Sequence, residues 1–325
     1  MKKSVVNLKY FQVGMSLVEL MVAMVIGLFL TAGVFTMFNM SSSNVTTTSQ
    51  LNQLQENGRI ALAIMERDIT QLGFMGDMTG TDFILGSNTT VDTAISGMDC
   101  IGAGLNNATL PNDQPAHFRL LWGYTSTSNS ATSLACLSGV KSDTDVLQLK
   151  RLIGPTAVAS ATGYYVASTS SQAIFFNSAA PSAVLPNARV WEYQHHVYYI
   201  DEANSIPMLN RKTLTNLGMN NDEQLVEGIE NIRFLYGFDN DGDGTPDSFI
   251  PASGVTSLMW DNEGFQRLVA IKVYVLVRAI KADSTFTNEA TYQLGDKEID
   301  EFKDHFRRKV MSTTVVLENP LLIRN

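Results

Sequence analysis

The densest run of metal-ligating side chains is Asp239-Asn240-Asp241-Gly242-Asp243-Gly244-Thr245-Pro246-Asp247. Aspartate at the first, third, fifth and ninth places, with glycine at the sixth, matches the first part of a calcium-binding loop. Four carboxylates so close in sequence repel one another unless a hard cation gathers them. Thr245 stands where such a loop offers a backbone carbonyl. The expected ligand set for Ca2+ is therefore Asp239, Asp241, Asp243, Thr245 and Asp247. The twelfth place holds Ile250 instead of a bidentate glutamate, so the set is incomplete. Asp and Gly also favour turns, and an acidic solvated turn between strands is the other reading.

Other reactive residue types lack a pattern. His195 and His196 are neighbours in a Tyr/Val-rich strand, so alternation sends them to opposite faces and shared metal ligation is not expected. Gly102-Ala103-Gly104 lacks the third glycine of a dinucleotide loop. There is no G-x-S-x-G, H-E-x-x-H or Walker loop, and none of the four histidines stands beside a recognisable nucleophile. No catalytic residue, and no enzyme, is expected.

The elements that position these residues begin with an unusual N-terminus. The chain has 325 residues, of which only 17% are charged, where a soluble domain carries about 25%. Net charge is −9, so a phosphate-binding surface spread over the fold, and direct nucleic-acid binding with it, is not expected. Residues 1–14 carry Lys2, Lys3 and Lys9, no acid, and end in Gly14. From Leu20 to Phe38 run 19 residues without a charge, roughly 28 Å of helix and long enough for a bilayer core. The basic flank keeps the N-terminus cytoplasmic and sends the remainder outward. Outside the cytoplasm Cys100 and Cys136 are expected to form a disulfide worth about 3–4 kcal/mol, two separate thiols being the alternative. Glu19 is an ionisable group inside the membrane segment, costing at least ~2.5 kcal/mol unless it has a partner.

Beyond a polar stretch from Ser41 to Ser49 a helical stripe resumes. Leu51, Leu54, Gly58, Leu62, Met65, Ile69 and Leu72 recur at intervals of three and four, with Gly73 and Gly76 as terminators. Residues 77–145 are rich in Ser, Thr, Asn and Gly and read as loops. Strands are expected at Val146–Ile153, Val197–Ile200, Ile229–Tyr236, Leu268–Arg278 and Ser312–Leu317. Between the last two, Ile299, Phe302, Phe306 and Val310 predict a short amphipathic helix, its acids (Asp296, Glu298, Asp300, Glu301) first and its bases (Arg307, Arg308, Lys309) last, matching a helix dipole. The fold class is α+β: a long N-terminal helix packed on an antiparallel β-sheet domain with long loop insertions.

Gly14-Met15-Ser16-Leu17-Val18-Glu19-Leu20, followed by an apolar helix after a short basic leader, resembles the signal of type IV prepilins. Further segments resemble the PilW family of minor pilins: Gln53 to Leu62, Arg67 to Gly76, Leu225 to Asn231 with Tyr236-Gly237, Phe306 to Arg308, and Ser312 to Val315. The ending Leu317-Glu318-Asn319-Pro320 departs from the family pattern. The resemblance implies four segments: a leader (1–14), the transmembrane and assembly half of the helix (15–40), its amphipathic half (41–76) and a periplasmic β-rich domain (77–325). It implies that a membrane prepilin peptidase cuts after Gly14 and that the new amino group of Met15 is methylated. Removing three lysines then takes the net charge from −9 to −12. Glu19 would pair with an α-amino group and set axial register during assembly, since an unpaired buried charge costs several kcal/mol.

The implied protein is a minor pilin that joins other minor pilins to initiate type IV pilus assembly at the tip, supporting twitching, adhesion or DNA uptake. Its implied partners are the major pilin, the inner-membrane assembly platform and a large tip adhesin. It would wait in the inner membrane before entering the fibre. The rivals are a J-type pseudopilin of type II secretion and a membrane-anchored periplasmic calcium-dependent module.

Overall fold

A computed structural model describes residues 14–102, 104–127, 134–156, 158–261, 263, 265–317 and 319. Gly14 and Met15 lie within it; the rest of the leader, Ala103 of the discarded glycine motif, Glu318 and Pro320 lie outside the described residues. The chain divides into two compact units, Met1–Leu51 and Asn52–Asn325.

One helix, α1 (Leu17–Thr70), runs through 54 residues without proline. Its polar stretch stays helical because hydroxyls return to the helix: Thr46 Oγ1 donates to Ser42 O at 3.0 Å. In the apolar run Thr31 and Thr36 do the same, to Gly27 O and Gly33 O. Large side chains of the first unit are solvent-exposed, Leu17 and Phe29 by about three quarters. By length and composition the helix can cross a membrane. In the second unit the predicted stripe is buried at Leu54, Gly58, Leu62, Met65, Ile69 and Leu72; Leu51, the last residue of the first unit, is exposed. The helix ends before two left-handed glycines, Gly73 (φ 77°) and Gly76 (φ 59°).

The rest of the second unit is mainly strand: β1 (Thr89–Val91), β2 (Leu121–Thr125), β3 (Asp145–Ile153), β4 (Tyr164–Ser168), β5 (Ala173–Phe176), β6 (Arg189–Ala203) and β7 (Ile206–Thr215). Then come β8 (Gly218–Glu227), β9 (Ile229–Asp239), β10 (Ser248–Pro251), the single-turn α2 (Ser257–Trp260), β11 (Arg267–Arg278), β12 (Tyr292–Leu294), β13 (Lys297–Ile299) and β14 (Arg308–Val316). The larger sheet runs β1-β5-β4-β6-β3-β2, and β7 and β8 continue it from β6. The 15-residue β6 holds β3 on one edge and, in succession, β4 and β7 on the other. The second sheet is β10-β9-β11-β14, and β12-β13 form a separate ribbon. Pairing is antiparallel except between β1 and β5. The main core joins Leu54, Leu62, Met65 and Ile69 of α1 to Tyr198, Phe234, Ile271 and Val275 from both sheets. A second core stacks Phe83, Phe118, Phe175 and Tyr193 edge to face.

The expected α+β architecture is present, and residues 77–145 hold only the strands β1, β2 and the first residue of β3 among those described. The expected helix across Ile299 to Val310 is not. Ile299 ends β13, residues 300–307 are irregular, and Arg308 to Val310 open β14. Arg307 and Arg308 reach acids in distant segments, and Arg308 also Asp304 four residues back. Arg308 donates to Glu230 Oε1 at 3.0 Å and to Asp304 at 2.7 Å, and Arg307 to Asp283 at 2.8 Å. Phe302 lies 3.6 Å from the Arg308 guanidinium, ring centroid to carbon. Two or three buried charge-assisted bonds outweigh a helix-dipole effect of about 0.3–1 kcal/mol.

At Gly58 α1 lies close against β11 and β14 of the second sheet. A β-carbon there would stand 2.4 Å from Met311 Sδ and 3.0 Å from Val277 Cγ2. Substitution Gly58→Val should therefore destabilise the chain by about 1–3 kcal/mol through overpacking, read as a lower denaturation midpoint of the detergent-solubilised protein.

Candidate functional site

At the N-terminus Gly14 and Met15 are exposed and non-helical, and Ser16 caps α1. Ser16 Oγ accepts from Glu19 N at 3.2 Å, and Glu19 Oε2 accepts from Ser16 N at 2.9 Å. This reciprocal pair is a capping box, which satisfies two helix-start donors. The Ser-x-x-Glu spacing that encodes it was legible and was not used in the sequence reading. The Gly14–Met15 bond lies just outside the cap, so a cut there leaves the helix start intact. In the folded chain the Glu19 carboxylate is already aimed back at the segment that would carry a new amino group.

The Asp-rich loop joins β9 to β10, with Gly242 (φ 85°) and Gly244 (φ 83°) supplying left-handed turns. One oxygen from each of Asp239, Asp241 and Asp247 lies within 4.8 Å of the others. Backbone N–H groups orient these carboxylates: Asp239 accepts from Gly242 at 2.6 Å and Gly244 at 2.9 Å, and Asp247 from Asn240 at 2.7 Å. Burial of Asp239 favours its neutral form, but the N–H groups of Gly242, Gly244 and Asp241 outweigh this and hold its carboxyl below the usual range. Asp243 stands apart from the trio; its Oδ1 accepts from Thr245 N and Oγ1, both at 2.7 Å. Ile250 is in β10, partly buried against the core, and offers no ligand atom. The arrangement brings three carboxylates together, one buried and two exposed.

Cys100 and Cys136 are bonded, with Cα atoms 4.6 Å apart, and both are buried beside Val146, Val197 and Met219. The bond closes the irregular insertion on itself, where it packs against β3 and β6. A buried lysine ties the insertion to β3 nearby. Lys150 Nζ donates to Asn107 Oδ1 (3.0 Å), Ala108 O (2.7 Å) and Arg119 O (2.8 Å), three acceptors for the three protons of an ammonium. Burial pushes its pKa well down, with the Asp99 carboxylate opposing that shift.

His195 and His196 do face opposite ways. His195 is fully buried; its ring bonds Gln148 at 2.8 Å and Thr109 at 3.2 Å, and burial pushes its pKa well down. His196 Nδ1 meets Asp68 Oδ2 at 2.6 Å. Asp68 was not singled out from the sequence, yet it is the hub of the polar interior. It also accepts from Arg151 Nη2 at 2.7 Å, from the Tyr198 hydroxyl, and from Arg211 Nη1 at 3.4 Å. Asp68, Arg151, His196 and Arg211 border a cleft of about 620 Å³ between the last turns of α1 and the larger sheet. The available signal was a carboxylate three residues after Met65 and four before Leu72, on the buried stripe itself. Burial alone would raise the Asp68 pKa. The hydrogen bonds from His196 and Tyr198 and the charge of Arg151 overcome it and hold the carboxyl well below the usual range.

A family model described as Type IV Pilus-assembly protein W, PilW, matches residues 197–319, from within β6 to just past β14. It supports the PilW-family resemblance and, at the level of that description, relates the chain to type IV pilus assembly. No curated protein and no solved structure matches the chain.

Because the folded pKa of Asp68 is depressed, its stabilisation is fully present above the unfolded carboxyl value of about 4 and is lost progressively as pH falls below it. Acid titration of Asp68→Asn should lack that part of the wild-type loss. Asp68→Ala at neutral pH should cost about 3–5 kcal/mol, because Arg151 is left buried without its carboxylate; chemical denaturation measures both.

Proposed function

We propose that this chain is a minor pilin that starts in the inner membrane, with its N-terminus cytoplasmic and its second unit periplasmic, and joins other minor pilins to initiate type IV pilus assembly at the tip. The observation that carries this reading is α1. Its first part exposes a continuous apolar surface, its later turns are built into a β domain, and it opens on Gly14, the Ser16–Glu19 cap and no intervening turn. Burying each large exposed side chain of that first part gives roughly 1.5–3 kcal/mol. A bilayer and a bundle of like helices both supply the cover, so transfer from one to the other conserves most of it. What the bundle adds is a partner for Glu19, whose carboxylate is placed to meet an α-amino group and thereby fix register. Partner choice then falls to the β domain. Twitching, adhesion or DNA uptake would follow from the fibre that the chain helps to start.

Mass spectrometry of the N-terminal peptide from native cells should find a chain beginning at Met15 with one added methyl. A chain that keeps residues 1–14, or begins well beyond Met15, excludes the prepilin route. Glu19→Ala should impair piliation while the chain is still made and inserted, scored by recovery of surface pili.

The Asp-rich loop is proposed as a weak calcium site, with Asp239, Asp241 and Asp247 as its core and the Thr245 carbonyl and Asp243 reorienting to complete it. Hard oxygen ligands on a flexible loop suit Ca2+ better than Mg2+, which requires a tighter octahedron. Calcium at a hundredfold excess over its Kd should stabilise the chelator-treated protein by about 2.7 kcal/mol by linkage. An unchanged Tm with calcium, or an equal response from Asp241→Asn, leaves the loop as a solvated turn.

A further inference from the structure

Among the described strands, two edge strands are nine residues or longer, and they are protected unequally. The outer strand of the larger sheet, β8, carries Asp222, Glu223 and Glu227, and two register shifts interrupt its pairing with β7. The outer strand of the second sheet, β14, pairs with β11 from Arg308↔Arg278 to Val316↔Ala270 with no shift. From Val310 to Val316 it holds no charge, no proline and no glycine. Edge strands normally carry such devices because an unpaired row of N–H and C=O groups recruits another strand.

The ladder fixes which groups face outward. Leu317 N donates to Val269 O and Ala279 N to Arg307 O, so the odd-numbered residues of this ladder make the hydrogen-bonded pairs with β11. Val310, Ser312, Thr314 and Val316 therefore turn their N–H and C=O groups away from the sheet. Among the described residues no backbone hydrogen bond reaches them. Side chains do not crowd the approach: Ser312, Thr314 and Val316 are exposed on one face, while Met311 and Val315 are turned towards α1 and the core. A row of donors and acceptors at strand spacing is complemented by one kind of ligand, an extended peptide backbone.

We propose that β14 is a docking edge on which an extended segment of a neighbouring pilus subunit adds as a further strand of the β10-β9-β11-β14 sheet. The inference rests on the pilin reading above and names the surface by which partners are chosen. Two observations select a neighbouring subunit as occupant. The contact of Met311 with Gly58 sets β14 beside the later turns of α1, so a strand added here would extend the sheet on which the helix is seated. The net charge of −9 opposes close approach of a second copy, whereas exposed Lys309 at the start of the strand favours a partner segment with an acid facing it.

The test uses two variants of the full-length chain in its own cells. Thr314→Pro removes an outward N–H without touching the ladder to β11. Thr314→Lys keeps the N–H and adds a charge to the exposed edge. Each is checked for folding by amide exchange at Val273 and Val315, then for recovery of the chain with sheared pili or detergent-extracted assembly complexes. Both should fold and be depleted by roughly tenfold or more, the scale set by losing one or two net hydrogen bonds. In the wild type, amide exchange at Val310, Ser312, Thr314 and Val316 should be slower in the assembly than in the isolated chain. Variants recovered at the wild-type level, or even-numbered amides that exchange equally fast in both states, overturn the docking edge. If Glu19→Ala is lost from the assembly while both edge variants are retained, the pilin reading stands and the edge does not. A wild-type chain that never co-purifies with pilus subunits removes both, and a dimer of this chain abolished by Thr314→Pro replaces the proposed occupant with a second copy.

Discussion

The carboxylate of Asp68 joins the last turns of α1 to three strands that are far from it in sequence. It accepts from Arg151 of β3, His196 and Tyr198 of β6, and Arg211 of β7. Apolar packing can hold a helix against a sheet while leaving it free to slide by a turn. Four donors converging on one buried carboxylate have no equivalent alternative four residues away, because the side chains of Ile64 and, just past the helix, Leu72 offer no acceptor. The position of α1 on the β domain, and with it the close approach at Gly58, follows from this hub and the apolar stripe together.

The helix is therefore under two different demands along its length. From Asn52 onward its neighbours are fixed by the chain itself, and Gly58 is small because Met311 and Val277 need the space. Before that, the large apolar side chains are solvent-exposed among the described residues. Such an exposed stripe would be a liability on a soluble domain. By length and composition this stripe can cross a membrane.

The long insertion before β3 is unusual for its lack of regular structure, and its order comes from discrete anchors. The Cys100–Cys136 bond closes it on itself, the three acceptors of Lys150 tie it to β3, and the Arg119–Asp261 pair at 2.7 Å ties it to the α2 segment. The same economy appears at the C-terminal end, where Arg307 and Arg308 hold residues 300–307 through Asp283, Glu230 and Asp304 without a helix. Charge pairs between distant segments do here what backbone ladders do elsewhere.

Local rules were enough for part of this protein. The uncharged run, the interval of three and four from Leu54 to Leu72, the terminating glycines and the alternation in β11 each depend on residues close in sequence, so α1 and the principal strands were legible, as was the cysteine pair once the compartment was inferred. The capping box was equally local and was overlooked. The helix expected near residue 300 failed because its charges satisfy Glu230 and Asp283, partners that lie far from it in sequence. Asp68 as a hub, the clustering of Asp239, Asp241 and Asp247 without Asp243, and the outward set of β14 were decided by the tertiary structure. Each depends on which backbone or side chain arrives from elsewhere in the chain, and sequence periodicity carries no record of that arrival.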